Sequence, residues 1–196
     1  MHLEVLSTAA AIGTFVVIAA TAIAAVVQLR HLQAQNQLTG LLTVLARVED
    51  PQFNEWVDGA REMLRARLPD ETYRRAVIDG SYERKNNPWL NLANSYDWVG
   101  SLVKHKLIPE EALLDVYAGR VDQAWSIVES IVPLVRARSG MAVWENFEYL
   151  VVRAREWSAA HKDGAYPKGV PRLRSNVRWP ELSEIGYRNT SSNDSA

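Results

Sequence analysis

Residues 5–27 read VLSTAAAIGTFVVIAATAIAAVV, 23 consecutive positions without a charge. A helix of about 20 apolar residues, rising ~1.5 Å per residue, crosses the ~30 Å hydrocarbon core of a bilayer. Glu4 bounds the run on one side, and Gln28, Arg30 and His31 bound it on the other. A cleavable signal peptide is the competing reading, because AIAA at 22–25 is a passable cleavage site. No Lys or Arg precedes the run, however, and it exceeds the usual h-region of about 7–15 residues. A buried core helix is the third reading, and core helices seldom carry an uncharged run of this length. The stretch is therefore expected to be a membrane anchor.

Orientation follows from Lys and Arg near the ends of the span. The N-terminal side has none, whereas Arg30 and Arg47 follow on the other side, with no acid before Glu49. The expected division is an external N-terminus at 1–4, a span at 5–27, a cytosolic domain at 28–160 and a tail at 161–196. Within the span, eight Ala and five Ser, Thr or Gly make it rich in small residues. Ala9-xxx-Gly13 and Ala20-xxx-Ala24 match the small-xxx-small spacing of associating helices. Chance matches are common in such a composition, so a monomeric span stands beside self-association.

Outside the span the chain is ordinary in composition. Its 196 residues are 47% hydrophobic and 23% charged, with a net charge of −1, which suits one globular domain and excludes a disordered chain. Cysteine is absent. That removes disulfides, thiolate metal sites and thiol nucleophiles together. Residues 49–160 hold 18 acids against 14 Lys plus Arg, an acidic balance that opposes nucleic-acid binding.

Between Gln28 and Val48 the only breaker is Gly40, which a helix tolerates at about 1 kcal/mol. His31, Ala34, Leu38, Leu41, Leu45 and Val48 recur at three- and four-residue steps. Under three heptads long, this stripe is too short for a firm coiled coil. Leu38, Leu41 and Leu45 either pack on the protein's own domain, the favoured reading, or form a dimeric stalk.

Prolines punctuate the chain beyond this stripe. Asp50-Pro51 offers an N-cap and a pre-organised first helical position. Phe53, Trp56, Val57, Ala60 and Leu64 then share one face. Pro69 with Asp70 and Glu71 opens a short helix to about Asp79, and Asn87-Pro88 opens another carrying Trp89, Ala93, Tyr96, Val99 and Val103. Pro109-Glu110-Glu111 is expected to open a short helix ending near Gly119. A further helix over 121–138 should kink or break at Pro133, whose ring lacks a donor and clashes with the carbonyl of Glu129. After Gly140 a last helix runs to about Ala160 with Trp144, Phe147, Leu150, Val151, Ala154 and Trp157 inward. No alternating strand pattern occurs. The fold class is all-α, a single N-terminal transmembrane helix continuing into a compact cytosolic helical bundle.

Three stretches carry a family resemblance: LRHLQAQNQLTGLL after the span, NSYDWVGSLVKHKLIPEEALLD, and WENFEYLVVRAREW. Together with the single span, they resemble a family of uncharacterised bacterial membrane-anchored proteins classed only as a domain of unknown function. The resemblance covers residues 1–158. It is most specific at Asn146-Phe147-Glu148 with Leu150, and at residues 100–108. It implies the architecture and a bacterial inner-membrane home, with no assigned activity and no catalytic residue to carry over. This chain has Asp97 where the family is expected to have Glu.

Motif chemistry is sparse. The chain lacks phosphate-binding Gly loops, HExxH and GxSxG. Of His2, His31, His105 and His161, only His105 lies in the helical domain proper, with no acid three or four residues away. No catalytic residue, cofactor or metal is assigned. The best polar constellation is Glu145 and Glu148, three apart on one helix face, with Asp97 on another helix and Arg136, Arg138 or Arg153 as partners. These residues make either a pocket with a buried carboxylate or, the favoured reading, a clamp that fixes helix order. Six Trp between Trp56 and Trp157 occupy apolar faces and are expected to be core rather than a ligand cage. In the tail, Lys168, Arg172, Arg174 and Arg178 lie within eleven residues free of acids and precede Trp179. They form a solvated linker or touch anionic lipid. The expected function is membrane-anchored interaction with a protein partner or a second copy, ahead of a ligand-binding sensory subunit and an enzyme of unrecognised type.

Overall fold

The computed structural model describes the backbone of residues 2–173, and side chains at residue 7 and from 12 onward. Seven helices and no strand occur among the described residues. They are α1 (His2–Val48), α2 (Pro51–Arg67), α3 (Glu71–Asp79), α4 (Pro88–Lys104), α5 (Glu110–Val128), α6 (Val132–Ser139) and α7 (Glu145–Ala160). The chain forms two units, residues 1–162 and 163–196.

α1 runs unbroken from the apolar stretch into the domain. Among the described residues one helix is long and apolar enough to cross a membrane, and its described apolar residues are open, with Phe15 72% exposed. The face that meets the domain comprises Gln37, Gly40, Leu41, Val44, Leu45 and Val48, of which Val44 and Val48 are fully buried. The anticipated stripe thus splits. Leu41 and Leu45 pack on the core, whereas Leu38 is 56% exposed beside the equally open Leu42. Gly40 has a packing role beyond being tolerated, because a Cβ there would sit 3.0 Å from Ile108 Cγ2 and 3.3 Å from the Leu107 carbonyl.

The caps act where the sequence places them. Asp50 and Asp70 accept from the backbone N–H two residues on, both at 2.8 Å, and Asn87 accepts from Leu90 N at 3.2 Å. Each satisfies a backbone donor that the helix itself leaves without a partner. α5 departs from expectation by passing Gly119 without a break and ending at Val128. Tyr117, Ala118, Val121 and Ala124 are all buried, and burying this continuous face outweighs one glycine. The break associated with Pro133 falls upstream at 129–131, so this proline starts α6, as Pro51 and Pro88 start α2 and α4. α7 begins at Glu145, with a turn across 141–144 before it.

The core is aromatic at its centre. Phe53, Tyr96, Phe147 and Trp125 form a chain of ring contacts at 5.0–5.4 Å, and Trp89 packs on Tyr82 and Trp144. Trp89 donates to the Tyr73 hydroxyl at 2.9 Å, which satisfies its buried N–H. One tryptophan leaves the expected pattern. Trp98 is 40% exposed, with the Arg47 guanidinium 5.7 Å above its ring.

In the second unit, residues 163–173 contain no helix. Arg172 bends back within this unit, donating to the Asp163 carbonyl at 2.7 Å and lying over the Tyr166 ring. Lys168 is exposed, and Arg174 and Arg178 lie outside the described residues.

Candidate functional site

The polar constellation of the sequence lies along the seam between α4 and α7, the most extensive helix contact among the described residues. α7 needs outside help to begin. Its first position is preceded by Trp144, held at φ +56° with no side-chain cap bond. A tryptophan in the left-handed region is strained, and here burial to 4% exposure and a bond from its indole N–H to Asn94 Oδ1 (2.9 Å) hold it. The missing cap comes from another helix. Asp97 Oδ1 accepts from the backbone N–H of Asn146 (3.0 Å) and of Phe147 (3.1 Å), and its second oxygen lies 3.4 Å from Asn146 Nδ2. A carboxylate placed there also meets the positive end of the α7 dipole.

One turn further along α4, Gly100 lets the helices touch. A Cβ at Gly100 would fall inside the Asn146 carbonyl. Beyond it, Lys104 Nζ reaches Glu145 at 3.1 Å and Asn146 Oδ1 at 3.2 Å. Asn94, Asp97, Gly100 and Lys104, spaced by three or four, therefore present one face to the start of α7. Asn94, Gly100 and Lys104 were not singled out from sequence as partners, although this spacing was readable.

The remaining anticipated residues divide. Arg136 donates to Glu148 at 2.7 Å and to the Val143 carbonyl at 3.0 Å, joining α6, the turn after it and α7. The Arg136 side chain is 10% exposed, whereas Glu148 is half-exposed. Arg138 does not join them and donates to the Asp79 carbonyl at the end of α3. Arg153 pairs instead with Glu110 and Glu156. The hydrogen bond to Glu110, reinforced by its charge, raises the proton affinity of the Arg153 guanidinium.

A family model described as a domain of unknown function (DUF4760) matches residues 15–154. The chain belongs to this family. The matched region contains both halves of the α4–α7 seam and stops before the second unit. No curated protein and no solved structure matches the chain. DUF4760 membership therefore brings no named activity to these residues.

Away from the seam, a cleft of about 300 Å³ opens between α2, α4 and α5, lined by Phe53, Arg61, Tyr96 and Arg120. Burial pushes the Tyr96 hydroxyl to far weaker acidity than a free phenol, partly offset by Arg120. Tyr117 is shifted the same way, first by burial and then by donating to Glu49 at 2.9 Å. Among the described residues, no group of three or more His, Cys, Asp or Glu could hold a metal ion.

Proposed function

We propose that this DUF4760 protein is a single-pass membrane protein whose helical domain works by binding a protein partner or a second copy of itself. The observation that carries this reading is the continuity of α1. An open apolar stretch passes without a hinge into a segment that the domain buries through Val44 and Val48. A span so joined would hold the domain in a defined pose at the bilayer, and confinement raises the effective concentration of weak partners. The proposed division is span 5–27, N-terminus 1–4 outside, domain 28–160 in the bacterial cytoplasm and tail 161–196. Arg30 and Arg47 support that orientation, which a C-terminal reporter active only outside the cytoplasm would refute.

Leu38 and Leu42, beside the part of the stalk that the domain buries, are among its exposed apolar side chains, with Leu29 and Leu32 nearer the span. The polar groups of the seam favour a structural role over catalysis, because Asp97, Glu145 and Glu148 are each engaged in holding helices. A cysteine-free chain makes the test direct. Leu38→Cys in native membranes should form a disulfide-linked dimer if the partner is a second copy. It should give a defined adduct with a bifunctional thiol crosslinker if the partner is another protein. Neither product, with the chain in the membrane fraction, would refute the interaction surface. The cleft beside Phe53 and Tyr96 supports a ligand-sensing second reading, for which a metabolite that raises the melting temperature of the full chain is the positive result.

A further inference from the structure

The end of α4 closes in an unusual way. The N–H of Leu107 bonds the Leu102 carbonyl and the N–H of Lys106 bonds the Val103 carbonyl, both at 2.9 Å. This is the Schellman arrangement, whose left-handed residue is usually glycine. α3 ends in the same way, with Gly80 at φ +72°. In α4 that position is Lys106, at φ +57°. A lysine is thus held where glycine would fit with less strain, and its ammonium has no ion-pair partner among the described residues. Beside it, His105 is exposed and Leu107 is 55% exposed.

The position of this corner follows from α1. Arg47, near the end of α1, lies against Ser95 and Trp98. Gln37, ten residues earlier, donates to the Lys106 carbonyl at 3.2 Å, and Gly40 abuts Leu107 and Ile108. α4 therefore runs antiparallel to α1 and points its C-terminus toward the apolar stretch. Gln37 follows Val27 by ten residues, about 15 Å along a helix. The headgroup zone occupies about 5–7 Å of that distance. The remainder is comparable to the ~8 Å Debye length at physiological ionic strength. Lys104 and Lys106, with Arg30 and His31 on the stalk, make this end basic, although Glu145 is bound to Lys104 and Glu111 is nearby.

We propose that residues 104–107 form a foot that faces anionic phospholipid headgroups across about a Debye length, with the Lys106 ammonium supplying the attraction. The inference rests on the reading of 5–27 as a span. The test uses the full chain in vesicles of phosphatidylcholine, with or without about 30% phosphatidylglycerol to supply the anionic surface. A fluorophore is placed by His105→Cys, and its quenching by headgroup-labelled lipid is compared with that at Gln52→Cys, beyond the far end of α1. A third label, Ile18→Cys with acyl-chain quenchers, reports the span alone.

Strong quenching at position 105, dependent on phosphatidylglycerol and reduced by salt, is expected. Adding Lys106→Gly should lower the headgroup-facing population about fivefold, the equivalent of ~1 kcal/mol per basic residue at a charged surface. Because glycine suits the left-handed position, that variant should melt no lower than the parent, which separates lost attraction from lost folding. If 18 is quenched and 105 behaves like 52, the foot is overturned and the span stands. Quenching at 105 that ignores both phosphatidylglycerol and Lys106→Gly overturns the anionic attraction. An unquenched label at 18 overturns foot and span together.

Discussion

Replacing Asp97 by Ala removes the cap of α7 without touching α7 itself. The carboxylate accepts two backbone N–H bonds at 3.0 and 3.1 Å, and Trp144, at the N-cap position, makes no side-chain cap bond of its own. Loss of an N-cap costs about 0.5–2 kcal/mol, and hydrogen bonds to a charged group contribute about 1.5–3 kcal/mol. The two ranges describe the same bonds and do not add, so the expected loss is about 2–3 kcal/mol. In a domain of this size that corresponds to a fall in melting temperature of roughly 5–10 °C. Asp97→Asn keeps an acceptor and loses the charge, so it should cost about 1 kcal/mol. Denaturant and thermal melts of the full chain in detergent, followed by tryptophan fluorescence, measure both, with Trp144 beside the lesion. Asp58→Ala, which removes an exposed ion pair with Arg61, serves as the control and should stay within about 0.5 kcal/mol. If Asp97→Ala is no more damaging than Asp58→Ala, α7 is not capped from α4 and the account of the seam fails.

Gly100→Ala should cost at least about 1–3 kcal/mol in the same melts, because its methyl group would enter the Asn146 carbonyl and force the helices apart. Leu45→Glu should lower stability by more than about 2 kcal/mol, as its side chain packs against the core, whereas Leu38→Glu should leave the melting temperature unchanged. The two buried tyrosines predict alkaline sensitivity. Their folded-state proton affinity exceeds that of the unfolded chain, so their contribution is complete below about pH 10 and is lost as pH rises above it. A denaturant midpoint that falls above pH 10, with a shallower fall in Tyr117→Phe, is the expected result.

Much of the helix plan could be read directly because its signals are local. Asp50-Pro51, Asp70 and Asn87-Pro88 each mark a start through the backbone N–H groups within three residues of them. Gly119 and Pro133 were harder to read. Whether α5 continues past a glycine depends on what its buried face meets, and a proline opens or breaks a helix according to how the preceding turn is packed. The constellation of Asp97, Glu145, Glu148, Arg136 and Arg138 was legible as a set of residue types but not as pairings. Arg136 and Arg138 are only two apart in a short helix and point to different neighbours, Glu148 and the end of α3.

The sequence by itself determined the uncharged stretch of α1, the all-helical class and most helix starts, since each depends on composition and on contacts within one turn. Tertiary structure alone decided which side of the 37–48 segment is buried, that Asp97 caps a helix some fifty residues away, and that the α4 corner faces the apolar end of α1. Those features depend on the relative placement of distant helices, which is set by how Gly40, Gly100 and the aromatic core allow them to approach.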